Sequence, residues 1–569
     1  MNNCLKTYIY IYIYQFLIIP KLVRLCLKSV AVRKKLNMNV TFYTSSENSK
    51  PLDVFWQTKS ELVSYAIILL LLIIWFRIKW NRRFIDRFAA KIPGPPSYPL
   101  IGSGLEFVGT SQNVMENFIK LNNQYGPEPF KIWLGSSLAL NVTKPEDLQI
   151  ILNNSNAFDR GKLAKIMSAV FGEGLITASV PKWKIHRRII SPFFNTSSIN
   201  KCLPIFNENS ASFILNLQKE LRNSESFNIW DYVNSVSVNS ICEAALGYHR
   251  DEEDDDKSEF FYLVTKITER VNARLNKPWL YPDFIFSIYG KITGLNQMYE
   301  NLYKFPNKII KERKSQYAQR KKTNHSSLNL TNNEEKQKPV FLELLLELND
   351  EGAYFLNNDL RDEVLTMMIA GSETISITIC FCILMLAIHQ DIQDKVYDEI
   401  YQVMGESDRK VRIEDTVKFV YLEQCIKETI RMYPVAPVIM RYLQDDVKMS
   451  NYTIPKDTTI FIPIIVTHHL PELYPNPWEY NPDNFDPENV AKRHKYSFIA
   501  FSGGPRNCIG EKYAMLLMKV LLSTFLRNYS VHTKCKMTDI KLKFELSLKN
   551  ADGYQVTIRS RNTKSTYKV

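Results

Sequence analysis

A single cysteine inside a glycine-rich turn constrains this 569-residue chain more than any other feature of its sequence. Residues 501–510 read FSGGPRNCIG, and an apolar run follows at once that predicts a helix. Glycines let backbone N–H groups approach the Cys508 sulfur, the helix N-terminus adds its positive dipole end, and Arg506 adds a cation. These features stabilise a thiolate, which is the form that binds a metal ion. The loop therefore predicts a metal-ligating cysteine rather than an ordinary buried one.

The other cysteines and the histidines argue against the commoner metal and disulfide architectures. The nine cysteines are scattered and include no CxxC pair, which argues against a disulfide scaffold or structural zinc and favours a reducing compartment. The eight histidines include no HExxH motif, so zinc hydrolysis has no support. The net charge of +13 is compatible with a solvated basic surface, an acidic partner or an anionic membrane face. No motif supports binding to nucleic acid.

The apolar pattern over the rest of the chain is mainly helical, and 45 % hydrophobic residues suffice for a large core. Helices are predicted over residues 114–125, 181–194, 205–221, 359–389, 392–404, 417–432 and 509–527. Strand-like runs lie at residues 130–134, 138–142, 452–454, 458–463, 542–548 and 554–559. Acidic residues 251–256 and polar residues 311–338 are interpreted as surface segments, the second with a mobile loop in its middle. The pattern predicts one large domain, mainly α with small β-sheets, over residues 97–569.

Residues 62–76 predict a transmembrane anchor, because LVSYAIILLLLIIWF carries no charge. As a helix this run rises about 22 Å, so Arg77 and Lys79 would have to snorkel for it to span a bilayer. A helix of the protein core is the alternative. Since basic residues follow the run, the positive-inside rule places residues 38–61 in the lumen and the C-terminal bulk in the cytosol. Residues 77–96, which are basic and then proline-rich, are predicted to form a stiff hinge.

Residues 1–37 are interpreted as a doubtful N-terminal extension. Residues 8–14 read YIYIYIY, which is what a translated TA repeat would encode. The hypothesis is that residues 1–37 are translated non-coding sequence and that Met38 is the true start. A second hydrophobic segment that ends before Pro20 is the competing interpretation.

The FSGGPRNCIG loop resembles the haem-binding loop of the cytochrome P450 superfamily, FxxGxRxCxG, at every defining position. The resemblance covers about residues 90–560 and is nearest to the microsomal family 4 type, typical of insects and vertebrates, on motifs such as FLELLL at 341–346 and YPNPW at 474–478. It implies a single cytochrome P450-type fold and haem b, non-covalent apart from the Cys508 thiolate–iron bond. The loop residues that the resemblance assigns to haem binding are Phe501, Gly504, Arg506 and Gly510.

Two helical motifs agree with this resemblance in order and spacing. Glu428 and Arg431 resemble the ExxR element, and at i and i+3 they can form a structural ion pair on one helix face. Glu373 and Thr374 belong to AGSET, inside the helix predicted over 359–389, and the resemblance implies that they deliver protons to dioxygen. A glycine in mid-helix, Gly371, suggests that something bulky approaches closely there.

The resemblance also implies a set of contacts to the haem propionates. Trp183 and Arg187 match the WxxxR element, and Arg441 and Arg506 match two further contacts. An indole N–H and guanidinium groups are strong donors that suit carboxylates.

Four positions depart from the family pattern. Asn484 stands where an arginine usually precedes the phenylalanine, so the third member of the Glu-Arg-Arg network is missing or supplied from elsewhere, with Arg493 as a candidate. Ala370 stands where family 4 enzymes often carry a glutamate that esterifies the haem, so no covalent link is expected. Ile375 and Ala500 replace a common Thr or Ser and a common Pro.

The resemblance implies a monooxygenase that inserts one oxygen atom of O2 into a C–H bond of an apolar substrate, such as a fatty acid, hydrocarbon, terpenoid or xenobiotic. No Rossmann glycine fingerprint occurs, so electrons should come from a partner flavoprotein. The resemblance implies that this partner is NADPH–cytochrome P450 reductase, with cytochrome b5 as an optional second partner, at the endoplasmic reticulum membrane. The basic residues predicted to meet an acidic partner, with solvated charge as the alternative, are Lys184, Arg188, Lys492, Lys512 and Lys519. Residues 158–176 and the loops near Lys448 are expected to shape the pocket.

Three alternatives stay open. A peroxide-rearranging or dehydrating haem-thiolate enzyme would need no reductase, but such enzymes tend to lose the pair formed here by Glu373 and Thr374. A degenerate, non-catalytic haem protein finds its best support in Asn484. A membrane-anchored helical scaffold would bind no haem.

Overall fold

The computed structural model describes residues 82–561 except 99–100, 223–224, 249–254, 282, 327–340 and 351–356, together with a few residues between 65 and 80. The chain divides into two units, residues 1–82 and 83–569. In the first unit, the described residues of the predicted anchor, which include Leu69, Leu70 and Phe76, are helical and exposed. The predicted extension, Met38 and the predicted lumenal segment lie outside the described residues.

The second unit is mainly helical. Its α-helices are α1 Ser111–Tyr125, α2 Pro145–Asn153, α3 Gly161–Phe171, α4 Val180–Ile190, α5 Thr196–Asn200, α6 Leu203–Leu217, α7 Trp230–Leu246, α8 Asp255–Asn276, α9 Asp283–Ile292, α10 Leu295–Leu302, α11 Lys304–Ser326, α12 Phe341–Asp350, α13 Asn357–Ile388, α14 Gln390–Met404, α15 Ile413–Lys418, α16 Val420–Met432, α17 Ile464–Thr467, α18 Pro487–Lys492 and α19 Glu511–Asn528. Short 3-10 turns, such as Ser191–Phe194, join several of them.

The strands form small sheets at the margins of the helical core. They are β1 Phe130–Leu134, β2 Ser137–Asn141, β3 Phe227–Asn228, β4 Ile439–Tyr442, β5 Val447–Lys448, β6 Thr453–Ile454, β7 Thr459–Ile462, β8 Tyr529–His532, β9 Leu542–Glu545, β10 Ser547–Asn550 and β11 Gln555–Ser560. The largest sheet has the order β1-β2-β7-β4, in which only β2 and β7 run parallel. The others are the pairs β9–β10 and β5–β6 and the three-stranded sheet β3-β11-β8.

Helix α13 runs through the centre of the domain and packs against α7, α16 and α19. Its sequence is rich in β-branched residues, which are poor helix formers, so burial rather than propensity holds it as a helix. Three of its side-chain hydroxyls, those of Ser372, Ser376 and Thr378, donate to the carbonyl four residues earlier, which satisfies polar groups in an apolar core. The segment Asn358–Ile388 is long and apolar enough to span a membrane, but 78 % of its most apolar window is buried inside the protein, as expected of a core helix.

Every predicted helix is present, and the differences lie where the chain turns. The run predicted over 417–432 is broken at Phe419, whose ψ of 72° ends α15 before α16 begins. The run over 542–548 contains the β9–β10 turn, in which Leu546 adopts a φ of 63°. The polar stretch that starts at residue 311 continues α11 as far as Ser326, and its predicted mobile middle lies outside the described residues.

The segment predicted as a hinge, residues 77–96, contacts the domain at its C-terminal end. Residues 82–90 are helical, and Ala89 is buried. The Lys131 N–H donates to the Pro93 carbonyl at 2.8 Å, and a Cβ on Gly94 would lie 2.2 Å from the Lys131 oxygen. This end of the segment is therefore attached to β1, because its apolar and backbone groups find partners in the domain.

Candidate active site

The loop before α19 holds Cys508 by backbone hydrogen bonds. The Cys508 N–H donates to the Phe501 carbonyl at 2.8 Å, and the Asn507 N–H donates to the Gly504 carbonyl at 3.1 Å. Gly504 has a φ of 67°, and a Cβ there would lie 2.1 Å from the carbonyl oxygen of Leu152. Only glycine fits at this position, because both the left-handed backbone and the approach of α2 exclude a side chain.

The Cys508 sulfur lies deep in the domain but is exposed, because it faces an internal cavity. Burial raises the pKa of this thiol, while a hydrogen bond from the Gly510 N–H and the charges of Arg187 and Arg160 oppose that shift. The expected backbone donor is present, but the cations that act on the sulfur are Arg187 and Arg160 rather than the expected Arg506, and burial outweighs all three groups. A metal ion bound to the sulfur would favour the thiolate.

The cavity has a volume of about 510 Å³ and joins Cys508 to the middle of α13. The expected pocket segment over 158–176 contributes to its wall, and its apolar lining side chains are Met167, Phe171, Leu175 and Ile176. The expectation for the loops near Lys448 was wrong among the described residues, because the residues between α16 and β4, such as Val435 and Val438, line the cavity in their place. Most of the lining is apolar, as in pockets for small molecules.

Arg160, Arg441 and Arg506, together called the arginine cluster, lie on the wall of this cavity. The Nε atoms of all three and Nη1 of Arg506 are buried without a hydrogen-bond partner. Burial, joined by repulsion within the cluster, lowers the pKa of Arg441 and Arg506 to about 9, and burial lowers that of Arg160 to about 10. Asp159 opposes the shift for Arg506. Buried cationic donors that face a cavity fit a group with two carboxylates, and haem b is such a group.

The two WxxxR side chains lie beside this cluster but make different contacts. The Arg506 guanidinium stacks over the Trp183 ring at 4.4 Å. Both terminal nitrogens of Arg187 donate to Asn507, one to its carbonyl at 2.9 Å and one to its side-chain oxygen at 2.8 Å. Arg187 thus supports the cysteine loop, while Arg160, which the sequence reasoning missed, joins the cluster from the segment before α3.

Helix α13 brings Thr374 and Glu373 to the cavity wall. The Thr374 hydroxyl donates to the Ala370 carbonyl at 2.7 Å, and the Glu373 carboxylate pairs with the Lys549 ammonium at 2.5 Å and accepts from the Ser547 hydroxyl at 3.4 Å. The close approach expected at the mid-helix glycine comes from α7, because a Cβ on Gly371 would lie 2.7 Å from the Ile241 side chain.

Glu428 and Arg431 form a fully buried ion pair with two hydrogen bonds of 2.7 Å. Arg431 Nη1 also donates to the carbonyls of His468 and Pro477. The Asn484 side-chain amide donates to Glu428 at 3.1 Å, and the Asn481 N–H donates to the same oxygen at 3.0 Å. Every charged group of the pair is thereby satisfied, as a buried ion pair requires.

Arg493, the candidate substitute for the missing arginine, does not bond to Glu428. Its guanidinium stacks over the Tyr474 ring at 4.3 Å and donates to the Asn484 carbonyl. The family arginine is thus replaced by a neutral amide that contacts Glu428 and by a cation that holds the backbone of that amide. The departure at position 484 preserves the connection, which weakens the case for a degenerate protein.

His468 links this ion pair to the cysteine loop and was missed from the sequence. It is fully buried, and burial lowers its pKa well below the usual value. The Ile499 N–H donates to Nε2 at 2.9 Å, so the ring proton lies on Nδ1, which faces the Arg431 carbonyl at 3.3 Å. Together, Glu428, Arg431, His468 and Asn484 are called the ExxR network.

Four of the five basic residues predicted to meet an acidic partner are exposed: Lys184, Arg188, Lys492 and Lys512. The fifth was wrong. Lys519 is buried, with its ammonium 2.5 Å from the Glu423 carboxylate and 2.8 Å from the Thr416 carbonyl. Its position on the inner face of α19 leaves it no surface role.

Comparisons with known proteins agree with this geometry. The Cytochrome P450 family model matches residues 92–558. Cytochrome P450 4c21 of Blattella germanica is 34 % identical over 502 residues, which cover 88 % of this chain and 99 % of that protein. Cytochrome P450 4g15 of Drosophila melanogaster is 29 % identical over 563 residues, covering 88 % and 97 %. Cytochrome P450 4V2 of Homo sapiens is 30 % identical over 468 residues, covering 82 % and 89 %.

Proposed function

Because this chain belongs to the cytochrome P450 family and is therefore a haem-thiolate monooxygenase, we propose that it oxidises an apolar substrate with electrons from NADPH, delivered by a separate reductase. Cys508 is the proposed iron ligand. The observation that carries the proposal is that the Cys508 sulfur and the Thr374 hydroxyl line one apolar cavity whose wall also holds the arginine cluster. Thiolate-bound haem supplies cleavage of the O–O bond and insertion of one oxygen atom into a C–H bond.

The residues of the chain bind, orient and protonate. The arginine cluster and Trp183 would hold the two carboxylates of the haem and would thereby fix its orientation. The apolar wall excludes water and positions the substrate. Thr374 carries a hydroxyl proton at the cavity wall. Its neighbour Glu373 accepts a hydrogen bond from Ser547 and pairs with Lys549, and through these contacts with β10 it supports proton transfer to the cavity.

The first experiment is expression with a reductase, a carbon monoxide difference spectrum and product analysis on a panel of lipids and xenobiotics. Cys508→Ser should abolish the thiolate-type spectrum and turnover. Thr374→Val should keep the spectrum but lower product per NADPH consumed. Ser372→Ala is the matched control, since its hydroxyl makes the same bond to the carbonyl four residues earlier but lies outside the cavity lining. Turnover by Cys508→Ser with an unchanged spectrum would refute the proposal.

The exposed basic residues near the cysteine loop support docking of an acidic redox partner. Lys184 and Arg188 project from α4, and Lys512 from the first turn of α19. Reversal of these three charges should slow the reduction of this protein by NADPH–cytochrome P450 reductase. The reduction rate should then also depend less on the salt concentration. Lys120→Glu, at an exposed site on α1, is the control. An unchanged reduction rate would mean that these charges are merely solvated.

We also propose that residues 62–76 anchor the protein in the endoplasmic reticulum membrane with the catalytic domain in the cytosol. The support is the uncharged run and the basic residues that follow it. Protease treatment of sealed microsomes should digest the catalytic domain. Its protection until detergent is added would reverse the orientation.

A further inference from the structure

A polar stripe crosses the otherwise apolar wall that α8 presents to the interior. It consists of Thr268, Asn272 and Asn276, which are spaced at i, i+4 and i+8 and are 7 %, 3 % and 7 % exposed. Apolar residues such as Ile267 and Val271, both fully buried, flank the stripe on the same helix. Buried polar side chains at this spacing are not required for packing, because an apolar face would suffice.

The hydrogen bonds of the stripe are incomplete. Asn272 donates to the Ser111 hydroxyl at 3.1 Å and to the Phe544 carbonyl at 3.2 Å, but its side-chain oxygen is buried without a partner. Thr268 and Asn276 line the cavity, and neither side chain has a hydrogen-bond partner among the described residues. Because buried polar groups in native proteins are normally paired, the side chains of Thr268 and Asn276 are available to a ligand in the cavity.

The charges on the cavity wall restrict what that ligand can be. Among the described lining residues, the cations are the arginine cluster and Arg187. Arg160 and Arg187 act on Cys508, and Arg441 and Arg506 repel Arg160, so these cations gather at the haem-binding end. The remaining charged lining residue is Glu373, a carboxylate that is already paired with Lys549 and supplies no positive charge. A free carboxylate on the substrate would therefore meet only neutral donors, which do not compensate its loss of hydration.

We propose that the stripe recognises the uncharged, hydrogen-bonding end of a long apolar substrate, such as an alcohol or an ester, and discriminates against the corresponding free carboxylate. This inference rests on the proposed function, since it places the reacting carbon at the Cys508 end of the same cavity. Both an amide and a hydroxyl donate and accept, so Asn276 and Thr268 can serve either an alcohol or an ester.

The test is calorimetric titration of the full-length haem-loaded protein with dodecan-1-ol, methyl dodecanoate, dodecanoate and dodecane. The alcohol and the ester should bind at least about tenfold more tightly than dodecanoate, because the charge is not paired in the cavity. Thr268→Val and Asn276→Leu should each weaken the alcohol about fivefold, the effect of one lost hydrogen bond, without weakening dodecane. Thr265→Val, an exposed threonine of α8, is the matched control and should change nothing.

A gain of function completes the test. Asn276→Lys should reverse the order, so that dodecanoate binds more tightly than dodecan-1-ol. The inference is overturned if the unaltered protein binds dodecanoate as tightly as the alcohol, or if Thr268→Val and Asn276→Leu bind both ligands as the unaltered protein does. If either of these outcomes is found and product still forms, the inference is wrong but the proposed function is unaffected. The expected ligand order without a thiolate spectrum or product would refute the proposed function and keep the assignment of the stripe.

Discussion

Two buried arginines, Arg431 and Arg441, show opposite relations between charge and surroundings. Both are essentially inaccessible, at 0 % and 1 % exposure. Arg431 meets Glu428 through two 2.7 Å hydrogen bonds and gives its other donors to backbone carbonyls. Among the residues that the structure describes, Arg441 bonds only to the Met440 carbonyl and, at 3.4 Å, to the Ser502 hydroxyl, and its Nε has no partner there.

The difference separates a residue that serves folding from one that serves a ligand. A buried charge without a counter-charge is costly, so a chain keeps one only where something else supplies the opposite charge. The ExxR network is complete within the protein, whereas the arginine cluster is complete only with an anionic group. Each of the following substitutions or conditions tests one side of this contrast.

The largest effect is expected in the ExxR network. Glu428→Gln leaves Arg431 buried without a counter-charge and should lower the free energy of unfolding by about 3–5 kcal/mol, with little haem-loaded protein recovered. Denaturant unfolding measures the loss. Glu269→Gln is the control, because Glu269 pairs with Lys266 at the same i, i+3 spacing on the surface and should change stability by less than about 1 kcal/mol. Equal effects at the two sites would remove the contrast.

In the absence of haem, the loss of a charge from the arginine cluster should not lower the free energy of unfolding, in contrast to the loss of the charge on Glu428. Arg441→Met removes an incompletely paired cation, so the haem-free chain should be as stable as before or more so. Haem affinity should fall by about 2 kcal/mol, or roughly thirtyfold, as measured by transfer to an acceptor protein. Arg188→Met, on the exposed face of α4, should alter neither quantity. Destabilisation of the haem-free chain with unchanged haem retention would show that Arg441 serves folding.

Asn484→Ala tests whether the amide replaces the family arginine. Loss of its hydrogen bond to Glu428 should cost about 1.5 kcal/mol of unfolding free energy, because the carboxylate keeps its other donors. Asn489→Ala, which removes an exposed amide bonded to the Asp483 carbonyl, should cost less. Thermal unfolding compares the two variants, and an effect no larger than that of Asn489→Ala would mean that Asn484 does not contribute to the network.

The smallest effect concerns pH. Since the pKa of His468 is lowered in the fold, the unfolded chain binds a proton that the folded chain does not, and stability falls as pH drops below about 6.5. One such histidine should contribute a loss of about 1 kcal/mol between pH 7 and pH 5.8. His468→Gln should flatten the stability profile by that amount, whatever its effect at pH 7. An unchanged slope would mean that folding does not shift the pKa of His468.

Much of the fold followed from local pattern. The helix at the centre, α13, was predicted to within two residues at each end, because a long apolar run between polar segments has few other solutions. The cysteine loop was equally readable, since its glycines encode a backbone that other residues cannot adopt. The break at Phe419 and the turn at Leu546 were missed, because neither phenylalanine nor leucine is a residue type that indicates the end of a helix or strand.

The contacts of the site were less accessible to sequence reasoning. Lys519 lies among apolar residues of α19 and was read as a surface cation, yet it pairs with Glu423 inside the fold. Arg160 carries no recognisable spacing to the other arginines, and only packing brings it beside them. Helical periodicity tells which residues share a face, but it does not tell what that face meets.

By itself, the sequence determined which cysteine is proposed as the iron ligand, the order of the helices and the family, because these depend on residue type and on spacing along one segment. Tertiary structure alone decided that Asn484 completes the ExxR network across 56 residues, that His468 joins it to the cysteine loop, and that Thr268 and Asn276 of the polar stripe line the cavity. The physical reason is that the energetic contribution of a buried polar group depends on its partners. Those partners come from distant parts of the chain that meet only on folding.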